Sequence, residues 1–129
     1  GLLVADQRGH HADALADAPA HLNPPAGLFV VARRAGAVAG CGGVTWLYER
    51  TAEVKRMWVA PEARGLGLGR RLLSRLEAEA AARGCTTCVL DTNGVLVEAI
   101  AMYERAGYRR RERYNDNPYA EVWFTKDLG

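Results

Sequence analysis

The spacing of apolar positions changes along the chain, and each change marks an element. From Leu28 to Arg33 the residues are almost all apolar, a turn signal follows at Ala35-Gly36, and a β-rich run covers Val38 to Tyr48, predicting an antiparallel hairpin. Gly40, Gly42 and Gly43 interrupt the second run and point to a bulge or a close approach of another backbone. A third strand is expected over Glu53 to Val59, closed by Pro61. From about Gly67 to Arg83 the period becomes helical: Leu72, Leu73, Leu76 and Ala80 share one face, Arg71, Arg75 and Glu79 lie mostly off it, and Gly84 supplies the stop. Cys88 to Asp91 reads as a short strand, and a second helix from about Leu96 to Arg105 ends at Gly107. Strands are expected near Tyr108 to Arg113 and Glu121 to Lys126. Residues 1 to 26 are rich in Ala, Asp and His, end in Asn23-Pro24-Pro25, and predict a short helix around Ala12 to Ala18.

The order β-β-β-α-β-α-β-β predicts an α/β (α+β) fold, a mixed sheet with helices packed on its faces. The strand–helix–strand crossover makes Cys88 to Asp91 run parallel to Glu53 to Val59. A length of 129 residues predicts one domain over 1–129, enough to bury a single core. A net charge of +2 does not argue for nucleic acid or an anionic membrane, and the cluster Arg109, Arg110, Arg111 and Arg113 reads as a solvated strand end. No apolar run approaches the roughly 18 residues of a membrane span, and the first residues show no signal-peptide pattern, so a cytoplasmic location is expected.

Three cysteines are an odd count and too few for a disulfide scaffold, which fits a reducing compartment. Cys85 and Cys88 have half-site spacing, yet no second Cys/His pair accompanies them; they read as packing residues on opposite faces of a strand. His10 and His11 beside Asp13 read as an exposed helix start, and no metal is expected.

The segment that carries chemistry is Arg64-Gly65-Leu66-Gly67-Leu68-Gly69-Arg70, between a predicted strand and an amphipathic helix. Glycines at alternate positions leave consecutive N–H groups free to converge on one point, and the first turn of the next helix adds free N–H groups and the positive end of its dipole. Such a turn suits a phosphate-bearing ligand. No Gly-Lys-Ser/Thr follows, as a P-loop needs, and Arg70 stands where a dinucleotide fingerprint needs its third glycine.

The loop resembles that of the GNAT acyltransferase superfamily, Gln/Arg-x-x-Gly-x-Gly/Ala, at every fixed position from Arg64 to Gly69. The approach Glu53-Val54-Lys55-Arg56-Met57-Trp58-Val59-Ala60-Pro61 is similar to the family's strand followed by Val-x-Pro. Ala99-Ile100-Ala101-Met102-Tyr103-Glu104-Arg105-Ala106-Gly107-Tyr108 fits its second signature, Ala-x-x-x-Tyr-x-x-x-Gly-Tyr/Phe. The resemblance runs from about Leu28 to Leu128. Asp91-Thr92-Asn93 and Tyr114 to Phe124 also look similar to members fused behind a MarR-type DNA-binding domain, although nothing here reads as helix-turn-helix. The segment before Leu28 is short for the superfamily, and Leu96 stands where a pantetheine-contacting Asn is often found, with Asn93 the residue placed to substitute.

The resemblance implies a mostly antiparallel sheet with a central, splayed parallel strand pair and flanking helices. It implies acetyl-CoA as donor, and a small-molecule or protein primary amine as acceptor. The loop N–H groups, over Arg64, Gly65, Leu66, Gly67, Leu68, Gly69 and Arg70, would hold the pyrophosphate. A bulge near Met57 and Trp58 would open a slot for pantetheine along the backbone of Trp58 and Val59, with an N–H near Met57 facing the thioester carbonyl. Tyr103 takes the family's general-acid position, its other role being a core aromatic, and Glu53 the general-base position, its other role a solvated carboxylate. The competing function is a non-catalytic acyl-CoA-binding sensor module of a regulator. Loops near Tyr114 to Tyr119 should line the acceptor site, with Asp116 and Glu121 read as solvated carboxylates and Trp46, Tyr48 and Trp123 as sheet packing. Edge strands near the C-terminus leave a homodimer open; no direct nucleic-acid or membrane partner is expected.

Overall fold

The computed structural model describes the backbone of residues 2–6 and all of residues 26–129. Its strands are β1 (Leu2–Asp6), β2 (Gly27–Arg34), β3 (Ala37–Tyr48), β4 (Thr51–Val59), β5 (Thr87–Thr92), β6 (Arg109–Arg111) and β7 (Val122–Asp127), and its helices are α1 (Leu68–Ala82) and α2 (Val97–Arg105). The strands form one sheet in the order β1-β2-β3-β4-β5-β7-β6, antiparallel throughout except for the β4–β5 pair.

The hairpin, the parallel crossover and both helices lie where the apolar spacing predicts them. Ala35 and Gly36 turn the chain with φ of 52° and 83°, the left-handed pair that a two-residue hairpin requires. Two strand expectations change. β1 adds a strand that the sequence reading lacks, pairing along β2 from Leu2↔Arg34 to Asp6↔Val30. Its five residues show no alternation of their own, and the edge of β2 supplies the ladder. The Tyr108 to Arg113 strand shrinks to Arg109–Arg111, because the chain from Glu112 leaves the ladder and Tyr114 and Asn115 bond Glu53 of β4 through their side chains. The predicted helix at Ala12 to Ala18, with His10, His11 and Asp13, lies outside the described residues.

The stripe of α1, Leu68, Leu72, Leu73, Leu76 and Ala80, is buried against the sheet. At about 1.5–3 kcal/mol for each fully buried leucine, this face outweighs any other feature of the helix. Ile100 and Tyr103 of α2 join the same core, where the Tyr103 ring lies 6.0 Å from both Tyr108 and Phe124. The Tyr108 hydroxyl donates to Glu77 at 2.8 Å and Lys126 Nζ to the same carboxylate at 2.9 Å, tying α1 to β7. Cys85 and Cys88 enter this one core rather than opposite faces, because Cys85 precedes the strand. Burial pushes the Cys88 thiol up to about 12, which leaves it unreactive at neutral pH.

The centre of the sheet is where the ladder fails. β4 and β5 pair only through Thr51↔Thr87, Ala52↔Cys88 and Glu53↔Val89, after which both strands continue without each other. A bulge accompanies the parting. Between the rungs Gly43↔Lys55 and Cys41↔Trp58, Arg56 and Met57 stand opposite Gly42 alone, and Arg56 takes a φ of 57°. Both readings of the β3 glycines hold, bulge and close approach: a Cβ on Gly40 would lie 2.8 Å from the Trp58 carbonyl oxygen.

Candidate functional site

The parted strands leave a cleft of about 860 Å³ between the end of β4, the glycine loop and α2. Gly65 and Gly67 hold φ of 80° and 75°, a conformation that costs other residues roughly 1–2 kcal/mol. A Cβ at either would meet nothing within 4 Å, so backbone shape, not crowding, calls for glycine. Gly67 is the N-cap of α1, and among the described residues no side chain caps the helix; the first helical bond runs from Arg71 N–H to the Gly67 carbonyl at 3.2 Å. The N–H groups of Leu68, Gly69 and Arg70 are therefore left to the cleft mouth, with the positive end of the helix dipole behind them. Arg64 Nε donates to the Val59 carbonyl at 3.4 Å, folding its guanidinium across the end of β4. Open amides, a helix start and the arginines at 64, 70 and 105 on one cleft fit a diphosphate.

The structure brings most of the expected binding residues together. Met57, Trp58 and Val59 border the cleft from β4, as do Tyr103 and every loop residue from Arg64 to Arg70 except Leu66. Leu66 is 57% exposed and faces a separate shallow hollow beside Arg34 and Arg71. Asn93 is also absent from the cleft wall. Its amide donates to the Tyr119 carbonyl at 3.2 Å and its Oδ1 accepts from Val95 N–H at 3.0 Å, so the side chain holds the β5–α2 turn.

Tyr103 is buried from the core side while bordering the cleft, and its hydroxyl donates to no described residue. Burial, then the nearby Asp91 carboxylate, push its pKa up to about 12, so the phenol keeps its proton throughout the neutral range.

Glu53 is 4% exposed, which removes the solvated reading. Its Oε2 accepts from the Tyr114 hydroxyl at 2.6 Å and from Asn115 Nδ2 at 3.3 Å, with Lys55 Nζ at 3.5 Å. Asn115 Nδ2 also donates to Asp91, whose other oxygen accepts from Asn117 Nδ2 at 3.1 Å. Asn115 Oδ1 in turn accepts from Trp123 Nε1 at 2.9 Å. Burial and the bond to Glu53 raise the Tyr114 pKa well above its ordinary value.

Spacing alone does not show Asp91, Tyr114, Asn115 and Asn117 as members of one group. A local signal was present: Asn115 and Asn117 each accept from the backbone N–H two residues on, at 3.3 and 3.0 Å, a repeated Asx turn that orders the segment. Trp123 is buried, as packing predicts, with its indole N–H bonded; Trp46 is half-buried under the Arg83 guanidinium at 4.5 Å; Tyr48 is exposed. Asp116 is exposed, but Glu121 accepts from Gly94 N–H at 2.8 Å and is not merely solvated. The arginine cluster is largely exposed, as expected, with Arg109 and Arg110 near Asp127 and Glu104. Among the described residues there is no metal-holding group of His, Cys, Asp and Glu, and no helix long and apolar enough to cross a membrane.

Comparison with known proteins agrees with this geometry. The chain is 46% identical over 84 residues to an IAA acetyltransferase of Azospirillum brasilense, a match that covers 64% of the chain and 55% of that relative. It therefore spans little more than half of that relative's length. A crystal structure of a candidate acyl-CoA N-acyltransferase from Klebsiella pneumoniae superposes with a TM-score of 0.83 at 29% identity, covering 99% of this chain and 98% of that one. A GNAT family acetyltransferase from Elizabethkingia anophelis, solved with acetyl-CoA bound, shares the fold with a TM-score of 0.76 at 17% identity, covering 98% and 97%. Residues 3–108 match the acetyltransferase (GNAT) family, and with the splayed pair, the glycine loop and the Tyr103 helix in place, the chain belongs to that family.

Proposed function

We propose that this domain transfers an acetyl group from acetyl-CoA to a primary amine. The observation that carries the reading is the parting of β4 from β5 beside an uncapped helix start. Past Glu53, the side of β4 that faced β5 has no strand to bond, so the main-chain groups around Trp58 and Val59 are left to pair with the amides of a pantetheine arm. The amides of Gly65, Gly67, Leu68, Gly69 and Arg70 hold the diphosphate, and an N–H near Met57 stabilises negative charge on the thioester oxygen as the amine attacks.

Two side chains move protons. Glu53 takes one from the acceptor ammonium, directly or through water, freeing the lone pair that attacks the carbonyl carbon. As the C–S bond breaks, Tyr103 donates to the departing thiolate, and the second proton, shed by the nitrogen as it becomes an amide, restores the phenol; its raised pKa means that Tyr103 ends each turn protonated. Amine, carbonyl and thiolate are aligned in one slot, and positioning supplies most of the rate.

Release of CoA thiol from acetyl-CoA across a panel of primary amines tests this. Amine-dependent release with one acetylated product per thiol is expected. Binding of acetyl-CoA without any amine-dependent release would replace the enzyme with an acyl-CoA sensor.

A further inference from the structure

The main chains of β4 and β5 part after Glu53↔Val89, yet the side chains beyond that point remain joined, and the joint is one amide. Asn115, on the segment that folds back from β6, reaches Glu53 of β4 and Asp91 of β5 with the same Nδ2 group. Its other end is fixed by Trp123 of β7 at 2.9 Å and by Asn117 N–H at 3.3 Å. All of Asn115's polar capacity is spent across three strands and its own turn.

The consequence for the two carboxylates is unequal. Asp91 has both oxygens engaged, one by Asn115 and the other by Asn117. Glu53 receives Tyr114, Asn115 and Lys55 on Oε2 alone, and among the described residues no group donates to Oε1. We infer that Asn115 is the positioning residue of the reaction: by clamping Glu53 Oε2 to Asp91 across the splay, it presents Glu53 Oε1 as the oxygen that accepts the ammonium proton. Asp91 is the anchor of the clamp rather than a second base.

This inference rests on the acetyl transfer proposed above. It also accounts for a buried carboxylate, Glu53, and a half-buried one, Asp91, sharing one amide. Around them the charged and titratable neighbours are Lys55 on β4, Tyr103 on α2, Tyr114, Arg111 over the Tyr114 ring at 5.2 Å and Arg113 over the Trp123 ring at 4.9 Å. Among the described residues only Asn115 bonds both carboxylates, and it cannot itself titrate.

Two variants and two readouts test it. Asn115→Ala should lower kcat roughly tenfold or more, with acetyl-CoA affinity unchanged, because the glycine loop lies elsewhere. Asn115→Asp puts a third carboxylate against Glu53, so the acid limb of kcat/KM should move to higher pH by about a unit. The second readout needs no turnover: the Trp123 indole N–H resonance should shift as the carboxylates titrate in the unaltered protein and lose that shift in Asn115→Ala. Superimposable rates and pH profiles for both variants, in an active enzyme, would overturn the role of Asn115 alone. An indole resonance blind to acid titration would overturn the clamp. Absence of amine-dependent turnover in the unaltered protein would instead remove the activity, and this role with it.

Discussion

Substitution of Gly67 separates charge from shape at the amide cradle. Its φ of 75° is left-handed and a Cβ there meets no atom within 4 Å, so a side chain pays only backbone strain and reaches into the space before the helix start. Asn tolerates that conformation best among side chains of this size, so Gly67→Asn should fold and bind CoA with a modest loss. Gly67→Asp has the same shape and adds a carboxylate. Two unit charges 4–6 Å apart at an effective dielectric of 20 repel by about 3–4 kcal/mol, and at 1.4 kcal/mol per tenfold the Asp variant should bind CoA on the order of 10²–10³-fold more weakly than the Asn variant. Calorimetric titration of both with CoA and with pantetheine, which lacks the diphosphate, measures this. The gap between variants should appear for CoA, shrink as salt is raised, and vanish for pantetheine. Equal affinities of the two variants for CoA would refute a diphosphate at this helix start.

Other consequences follow from the same geometry. Tyr103→Phe should lower kcat about 10²-fold while leaving the KM for acetyl-CoA within about twofold, read by steady-state kinetics; an unchanged rate would make Tyr103 a packing residue. Gly40→Ala drives a Cβ to 2.8 Å from the Trp58 carbonyl and 3.1 Å from a Leu72 methyl, and should destabilise the fold by about 1–3 kcal/mol in urea unfolding. Tyr103, Tyr108 and Tyr114 all have raised pKa values. Above a pH of about 10 the unfolded chain releases phenolic protons that the fold still holds, so stability should fall as pH rises from there, and Tyr114→Phe should flatten the fall in thermal melts.

Legibility in the sequence followed the range of the interactions. The stripe of α1, the turn at Ala35-Gly36 and the stops at Gly84 and Gly107 are set by neighbours within a few residues, and spacing alone finds them. The glycine loop was readable for the same reason, since its chemistry lies in consecutive backbone groups. β1 was not, because pairing with β2 across more than twenty intervening residues decides it. The carboxylate network was least legible of all. Glu53 meets Tyr114 and Asn115 across separations of 61 and 62 residues, and polar residues on a loop look solvated until the fold buries them. The motif also points to Leu66 and Asn93, and spacing does not show that Leu66 lines a separate hollow or that the Asn93 side chain is bonded within the β5–α2 turn.

The grip of main-chain amides between β4 and α1 on the diphosphate of acetyl-CoA underlies the proposed activity. Amide ¹H–¹⁵N spectra recorded with acetyl-CoA and with S-acetylpantetheine test it most directly. The resonances of Gly65, Gly67, Leu68, Gly69 and Arg70 should move on adding the first and stay near their free positions on adding the second. Loop amides that ignore acetyl-CoA while other residues respond would contradict it.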